Sequence, residues 1–304
     1  MATTAIQVEN ISKRYGDFQA VQALSFEVFQ GELFAVLGPN GSGKTTTMRM
    51  ILDILKPDSG RIAVLGGPLT EATKDRIGYL PEERGLYRNA RVLEMMVYLA
   101  QLKGLSGAEA KKRSLALLER LQLAEHAKKK VSELSKGMQQ KVQFAVTVLH
   151  NPQLIIIDEP FSGLDPVNSL VLKDLLLELR QQGVAIVMST HQMYQVEEMA
   201  DRLLMIHKGQ LQLYGKVDEI RNRYAVHALV VEGQGDWSKL PGVARVENSE
   251  NGRSAAMLYL SKEATADSVL AAIAAAPDIR IQRFELAVPG LNDIFIRVVE
   301  EHGQ

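Results

Sequence analysis

Apolar residues in the first part of the chain form short runs that alternate with helical stretches. Each run has the length and composition of a buried strand. The runs are residues 33–37, 77–80, 154–157, 184–189 and 203–206, with further short strands predicted within residues 5–65. Residues 46–55 and 167–181 are predicted to be helical. Strands and helices that alternate in this way predict an α/β core around a largely parallel sheet.

The apolar spacing becomes helical over a longer region in the middle of the chain. Leu93, Met96 and Ala100 recur three to four positions apart, and the same spacing continues towards residue 150. This pattern predicts a helical insertion at about residues 83–150 within the α/β core.

The pattern changes after Tyr224. Apolar runs predict strands at residues 228–231, 243–247, 255–260 and 279–286, and helices at residues 264–276 and 290–301. Asn251 and Gly252 are typical of a hairpin turn between two of these strands. We therefore predict two domains, residues 1–224 and a small α+β domain at residues 225–304.

Charge and composition narrow the class of protein. The 304 residues include 35 basic and 36 acidic side chains, so no overall positive field favours nucleic acid or an anionic membrane. Cysteine is absent, which excludes disulfides and cysteine-held metals. The apolar runs are shorter than the ~20 residues of a membrane-spanning helix, and the first residues do not resemble a signal peptide. We expect a soluble cytoplasmic protein with no direct membrane insertion and no nucleic-acid partner.

A complete phosphate-binding loop follows the run at residues 33–37. Its residues fit Gly-x-x-x-x-Gly-Lys-[Ser/Thr] and lie between a predicted strand and a predicted helix. They are Gly38, Pro39, Asn40, Gly41, Ser42, Gly43, Lys44, Thr45 and Thr46. The glycines let backbone N–H groups point at phosphate oxygens, Lys44 supplies charge for the β- and γ-phosphates, and the Thr45 hydroxyl suits Mg²⁺. The loop alone predicts a bound nucleotide and leaves a kinase, a GTPase or a motor equally open.

Two carboxylates follow the strand predicted at residues 154–157. Ligands of open α/β folds bind at the carboxyl edge of the sheet, so Asp158 and Glu159 are expected beside the phosphate loop. We expect Asp158 to hold Mg²⁺ through a water molecule and Glu159 to act as the general base on the attacking water. The pair therefore predicts hydrolysis of the nucleotide.

Residues 134–138 resemble the signature of the ATP-binding-cassette (ABC) ATPases, which is Leu-Ser-Gly-Gly-Gln. The chain keeps Leu134, Ser135 and Gly137 and has Lys136 and Met138 at the third and fifth positions. The resemblance implies that Ser135 and Gly137 contact ATP, through a hydroxyl at a helix start and a backbone N–H. It also implies a P-loop NTPase fold, with a RecA-like core sheet, a helical subdomain and here an additional C-terminal α+β domain.

The resemblance extends over about residues 5–225 and implies roles for three further residues. Tyr15 occupies the position of the aromatic residue that stacks on adenine. Asp165 ends the loop that touches the opposite subunit and belongs to the expected ATP-binding residues. His191 occupies the position of the switch histidine that contacts the γ-phosphate.

The chain departs from the family at Glu82, where a glutamine usually reaches Mg²⁺ and the attacking water. A carboxylate is also a metal ligand, but it brings a charge that glutamine lacks. The expected metal ligands are thus Thr45, Asp158 and Glu82. The expected catalytic residues are Glu159, His191 and Lys44.

Residues 82–87 and 284–297 resemble the exporter branch of the family, which includes sodium- and drug-extruding ATPases. The resemblance implies that two cassettes, as a homodimer or a heterodimer, close head-to-tail around ATP and move a separate integral membrane permease. We expect the permease to dock near residues 82–87 and the helical insertion. The chain would then lie peripherally on the cytoplasmic face of the cell membrane.

Two other functions stay open at this point. The first is a soluble ABC ATPase that acts on DNA, ribosomes or another partner, although such relatives generally carry two cassettes, coiled coils or zinc modules. The second is a catalytically weak regulatory cassette, which the residues Glu82, Lys136 and Met138 would explain.

Overall fold

A computed structural model describes residues 3–83, 85–248 and 255–302 of the chain. The chain forms two compact units, Met1–Val217 and Asp218–Gln304. Among the described residues, no helix is both long enough and apolar enough to span a bilayer.

The strands of the first unit form two sheets. In chain order they are β1 (Thr4–Tyr15), β2 (Phe18–Phe29), β3 (Leu33–Leu37), β4 (Ser59–Val64), β5 (Ile77–Leu80), β6 (Leu154–Asp158), β7 (Ala185–Thr190), β8 (Arg202–His207) and β9 (Gln210–Lys216). The larger sheet has the order β5-β6-β7-β3-β8-β9 and is parallel except for β9, which runs antiparallel to β8. Every residue of β3, β6 and β7 is buried, because helices cover both faces of such a sheet. The prediction of a largely parallel sheet is confirmed.

The smaller sheet is antiparallel, with the order β2-β1-β4. Strands β1 and β2 are each 12 residues long and therefore exceed the short strands that the sequence predicted. Several register shifts interrupt their pairing, and Asn10 and Ala23 take positive φ angles of 50° and 46°. These irregularities interrupt the alternation of apolar and polar residues. The sequence pattern therefore predicts several short strands where the structure has two continuous ones.

The helices of the first unit cover the larger sheet and form the predicted insertion. They are α1 (Lys44–Ile51), α2 (Glu71–Lys74), α3 (Val92–Leu102), α4 (Gly107–Arg120), α5 (Lys136–Val148), α6 (Pro166–Gln181) and α7 (Met193–Met199). Helices α3, α4 and α5 lie between β5 and β6 in the chain and pack on one another. The predicted fold class, an α/β cassette with a helical subdomain, is confirmed.

The second unit is a small α+β fold. Its elements are α8 (Val217–Arg223, which begins at the boundary), β10 (Ala228–Gln234), β11 (Val243–Asn248), β12 (Ala255–Leu260), α9 (Ala266–Ala275), β13 (Arg280–Leu286) and α10 (Leu291–His302). The strands form an antiparallel sheet in the order β11-β12-β10-β13. Leu229, Val231 and Leu258 of the sheet share a buried cluster with Val269 and Ile273 of α9. The predicted turn at Asn251 and Gly252 lies outside the described residues.

Candidate functional site

The first unit contains a cleft of about 460 Å³. Its lining residues come from the β1–β2 turn, the loop after β3 with the start of α1, and the loops after β5, β6 and β7. They are Tyr15, Phe18, Ala20, Asn40, Gly41, Gly43, Lys44, Thr45, Thr46, Glu82, Asp158, Glu159, Ser162 and His191. The carboxyl ends of four parallel strands thus contribute to one cleft, as ligand sites of open α/β sheets do.

The backbone of the phosphate-binding loop requires glycine at two positions. Gly43, which precedes α1, has a φ of 110°, and a Cβ there would lie 2.5 Å from the carbonyl oxygen of Ala20. Gly38 has a φ of 155°, and its Cβ would lie 2.2 Å from the carbonyl oxygen of Ile206. Glycine therefore lets the loop pack closely on β2 and β8. Helix α1 begins in the cleft, and the first N–H groups of a helix, which have no partner within the helix, can bind an anion.

The polar groups of this loop fit a phosphate group. The Oγ of Ser42 is buried and has no hydrogen-bond partner within the described residues. The ammonium group of Lys44 donates to the carbonyl oxygens of Gly38 at 2.8 Å and Pro39 at 3.2 Å. Burial lowers the pKa of Lys44, while the charges of Glu159, Asp158 and Glu82 act in the opposite direction. A partly desolvated ammonium group beside a helix N-terminus is well suited to bind phosphate.

Asp158 is held by hydroxyl groups from two sides. Its side chain is nearly fully buried, and Oδ2 accepts a hydrogen bond from Thr45 Oγ1 at 2.9 Å. Its Oδ1 accepts a hydrogen bond from Ser189 Oγ at the end of β7. The described residues contain no group of three or more acidic or histidine side chains at metal-binding spacing. The hydroxyl oxygen of Thr45 and the carboxylate oxygen of Asp158 are nevertheless sufficient as protein ligands for Mg²⁺, because this ion commonly takes its remaining ligands from substrate phosphates and water.

Glu159 follows β6 and takes a positive φ of 50°. Its backbone N–H donates to the carbonyl oxygen of Ser189 at 3.1 Å. The carboxylate contacts His191 Nδ1 at 2.8 Å through Oε1 and accepts a hydrogen bond from Thr190 Oγ1 at 3.3 Å through Oε2. A carboxylate oriented by a histidine and a hydroxyl beside a phosphate-binding loop has the geometry of a positioned general base.

Two aromatic side chains lie at the rim of the cleft. Tyr15 is 49% exposed and Phe18 is 60% exposed, and the two residues pair across the β1–β2 turn. The sequence singled out Tyr15 but not Phe18. The short turn at Gly16 and Asp17, with an aromatic residue on each side, is the signal that could have identified both.

Ser135, Gly137 and Asp165 do not line the cleft of their own chain. Ser135 caps α5, and its Oγ accepts a hydrogen bond from the backbone N–H of Met138 at 3.3 Å. A Cβ at Gly137 would lie 3.4 Å from Leu164 Cδ2, so the signature packs beside the loop before α6. Asp165 caps α6, and the backbone N–H of Asn168 is the main group that holds the pKa of its carboxyl below the usual range.

Comparison with protein families gives two matches along the chain. Residues 21–162 match the ABC transporter family. Residues 215–299 match the family described as "ATP-binding protein DrrA1-3-like, C-terminal domain".

Known relatives and solved structures support the same assignment. The chain is 40% identical to the uncharacterized ABC transporter ATP-binding protein YhaQ of Bacillus subtilis, over 97% of this chain and 98% of that protein. It is 36% identical to Nod factor export ATP-binding protein I of Burkholderia orbicola, over 69% of this chain and 70% of that protein. A solved ATP-binding subunit of an ABC transporter matches with a TM-score of 0.67 at 32% identity, over 72% of this chain and 93% of that one. The chain belongs to the family of ABC transporter ATP-binding proteins, with a DrrA-like C-terminal domain, and the predicted family and fold class are confirmed.

Proposed function

We propose that this chain hydrolyses ATP and that hydrolysis drives export through a separate membrane subunit. The observation that carries the proposal is the contact between Glu159 and His191 at 2.8 Å, in the cleft that contains the phosphate-binding loop. Binding alone does not require an oriented carboxylate at this place, whereas attack by water requires a base. The export of Nod factor by a relative supports the transport role.

Each part of the cleft has a distinct task in this proposal. Lys44 and the loop N–H groups bind the phosphates and offset their charge, and Tyr15 packs on the adenine ring. Glu159 accepts the proton of the attacking water, and His191 keeps its carboxylate in place. Thr45, Asp158 and Glu82 would hold Mg²⁺, which when bound offsets negative charge on the phosphate oxygens.

The proposed active form contains two cassettes. Ser135, Gly137 and Asp165 lie outside the cleft of their own chain, so they are available to the ATP bound by a second subunit. ATP then makes contacts in the closed dimer that are absent from the open state, and this difference in contacts drives closure. A homodimer and a heterodimer with a similar cassette are both compatible with these positions.

The proposed partner is an integral membrane permease that docks near residues 82–87 and the helical insertion. Tyr87 and Tyr98 are 57% and 51% exposed there, and their rings contact each other edge to face at 6.4 Å. Leu102 at the end of α3 is 62% exposed. Exposed aromatic and apolar side chains close together are typical of protein interfaces. The chain would then be peripheral at the cytoplasmic face of the membrane.

ATP turnover by a Glu159→Gln variant tests the proposal. The variant keeps the size of the side chain and loses the base, so we expect ATP binding to remain and turnover to fall by a factor of about 100 or more. Glu119→Gln, on the exposed surface of α4, is the matched control and should keep full turnover. Unchanged turnover in Glu159→Gln would contradict the assignment of the base.

A further inference from the structure

A buried glutamine of helix α5 holds the loop that carries Glu82. Gln143 is 5% exposed. Its Nε2 donates to the carbonyl oxygens of Pro81 at 3.4 Å and Glu83 at 3.2 Å. These two carbonyl groups lie on either side of Glu82, so a single amide holds the backbone before and after it.

The other end of this amide has no partner in the part of the chain that the structure describes. Gln143 Oε1 is buried and accepts no hydrogen bond within the described residues. A buried acceptor without a donor costs free energy, and an apolar side chain of the same size would fill the position without that cost. The two N–H bonds to the loop around Glu82 therefore account for a glutamine at this position.

Helix α5 also packs closely on β5 at Thr147. Thr147 Oγ1 donates to the carbonyl oxygen of Tyr79 at 3.3 Å. A Cβ at Gly78 would lie 2.4 Å from the carbonyl oxygen of Thr147, so glycine allows the helix to approach the strand closely. The loop after β5 is thus attached to α5, whose N-cap is Ser135 of the signature.

Glu82 is the side chain that this attachment positions. Its carboxylate lines the cleft and, with those of Asp158 and Glu159, acts electrostatically on Lys44. Three carboxylates beside one lysine repel a polyanionic nucleotide unless a divalent cation lies between them. The position of Glu82 therefore determines how strongly nucleotide binding and metal binding depend on each other.

We propose that Gln143 is the positioning residue for Glu82, so that helix α5 sets the affinity of the nucleotide site for its divalent cation. The inference rests on the proposed function, in which Glu82 is a metal ligand and the N-terminus of α5 contacts the nucleotide of a second subunit. Movement of α5 then changes the metal site of its own chain.

Binding of Mn²⁺ to the full chain with the nonhydrolysable analogue AMP-PNP tests this proposal, because free Mn²⁺ is measured directly by its EPR signal. Gln143→Met keeps the shape of the side chain and removes both N–H donors, and we expect about tenfold weaker Mn²⁺ binding. Glu82→Ala, which removes the ligand altogether, should weaken binding by a similar factor. The double variant should bind no more weakly than Glu82→Ala alone, because Gln143 acts through Glu82.

Thr147→Val is the matched control, since it removes a hydroxyl that bonds the carbonyl oxygens of Tyr79 and Gln143 and leaves the side-chain amide of Gln143 in place. Its Mn²⁺ affinity should equal that of the unmodified chain. If Gln143→Met does not fold, Gln143→Asn, which withdraws the amide from the two carbonyls, carries the same expectation. Glu82 is exposed, so Glu82→Ala tests the other half of the proposal without changing the buried amide.

The outcomes separate this inference from the proposed function. If the unmodified chain binds AMP-PNP and Mn²⁺ normally, and either Gln143→Met or Glu82→Ala has no effect on Mn²⁺ affinity, the inference alone is overturned. Additive losses in the double variant also overturn it, because they assign Gln143 a role independent of Glu82. Failure of the unmodified chain to bind AMP-PNP with Mn²⁺ contradicts the proposed function and the inference together.

Discussion

The carboxylates of Asp158 and Glu159 are both held by side chains at the end of the neighbouring strand β7. Ser189 donates to Asp158, while Thr190 and His191 contact Glu159. The sequence predicted both acids and His191, because each occupies a position with a recognisable pattern. It did not predict Ser189 and Thr190, since a hydroxyl at the end of a buried strand has no distinctive spacing and only the pairing of β6 with β7 brings these side chains together.

The contact between His191 and Glu159 predicts a loss of catalysis that leaves binding intact. His191→Ala removes the group that orients the base, so kcat should fall by a factor of about 100 or more. ATP affinity should change little, because Lys44 and the phosphate-binding loop are unaltered. Steady-state turnover and equilibrium ATP binding, measured on the same preparation, check both parts.

A histidine of the second unit provides the control for this prediction. His227, whose Nε2 bonds to the carbonyl oxygen of Ser261, is exposed, and His227→Ala should keep normal kcat. A kcat for His191→Ala within tenfold of normal would show that His191 does not orient the base.

The lowered pKa of Lys44 predicts that ATP binding weakens at alkaline pH. Burial lowers this pKa, and phosphate binds the charged form of the ammonium group. When the pH is high enough for Lys44 to lose its proton in the ATP-free protein, ATP binding requires Lys44 to take a proton up again. Affinity should therefore decline as pH rises, starting below the pH at which an exposed lysine titrates. Titration with a fluorescent ATP analogue between about pH 7 and pH 10 measures the decline.

Lys44→Arg is the control for the pH dependence, because a guanidinium stays protonated over this range. We expect weaker binding with little slope against pH. An affinity of the unmodified chain that stays constant until exposed lysines titrate would contradict the assigned role of burial.

Helices and strands with a regular apolar pattern were predictable as elements, and irregular or half-exposed ones were not. Helix α6 extends over Pro166–Gln181, close to the prediction of residues 167–181. The start of α1 lies two residues earlier than predicted, at Lys44, because Gly43 is its N-cap, and the helix ends at Ile51 before Asp53 takes a φ of 57°. Strand β9 was not predicted, since it is an edge strand with one residue fully buried.

The contact between α5 and β5 predicts a marked loss of stability in Gly78→Ala. The added Cβ would lie 2.4 Å from the carbonyl oxygen of Thr147, so the helix must shift from the strand. We expect the free energy of unfolding to fall by about 1–3 kcal/mol, measured by urea denaturation. Gly67→Ala is the control, because no atom lies within 4 Å of its Cβ and its φ is not positive.

A change of less than about 0.5 kcal/mol is expected for Gly67→Ala. If Gly78→Ala is as stable as Gly67→Ala, α5 and β5 are not packed as closely as the structure describes.

The proposed function divides the ATP site between two chains. The phosphate-binding loop, the two acids and His191 line a single cleft, whereas the signature residues Ser135 and Gly137 do not. The sequence predicted both sets of residues, but only the fold shows that Ser135 and Gly137 do not line the cleft of their own chain.

The mass of the Glu159→Gln variant in solution, measured by light scattering with and without Mg²⁺ and ATP, tests whether two cassettes close around ATP. ATP that persists between two cassettes should convert the chain from monomer to dimer, with two nucleotides bound per dimer. Adding Ser135→Ala to this variant should weaken the dimer and leave nucleotide binding by the monomer in place. A chain that binds Mg²⁺ and ATP tightly and stays monomeric at every protein concentration would contradict the proposed closure of two cassettes around ATP.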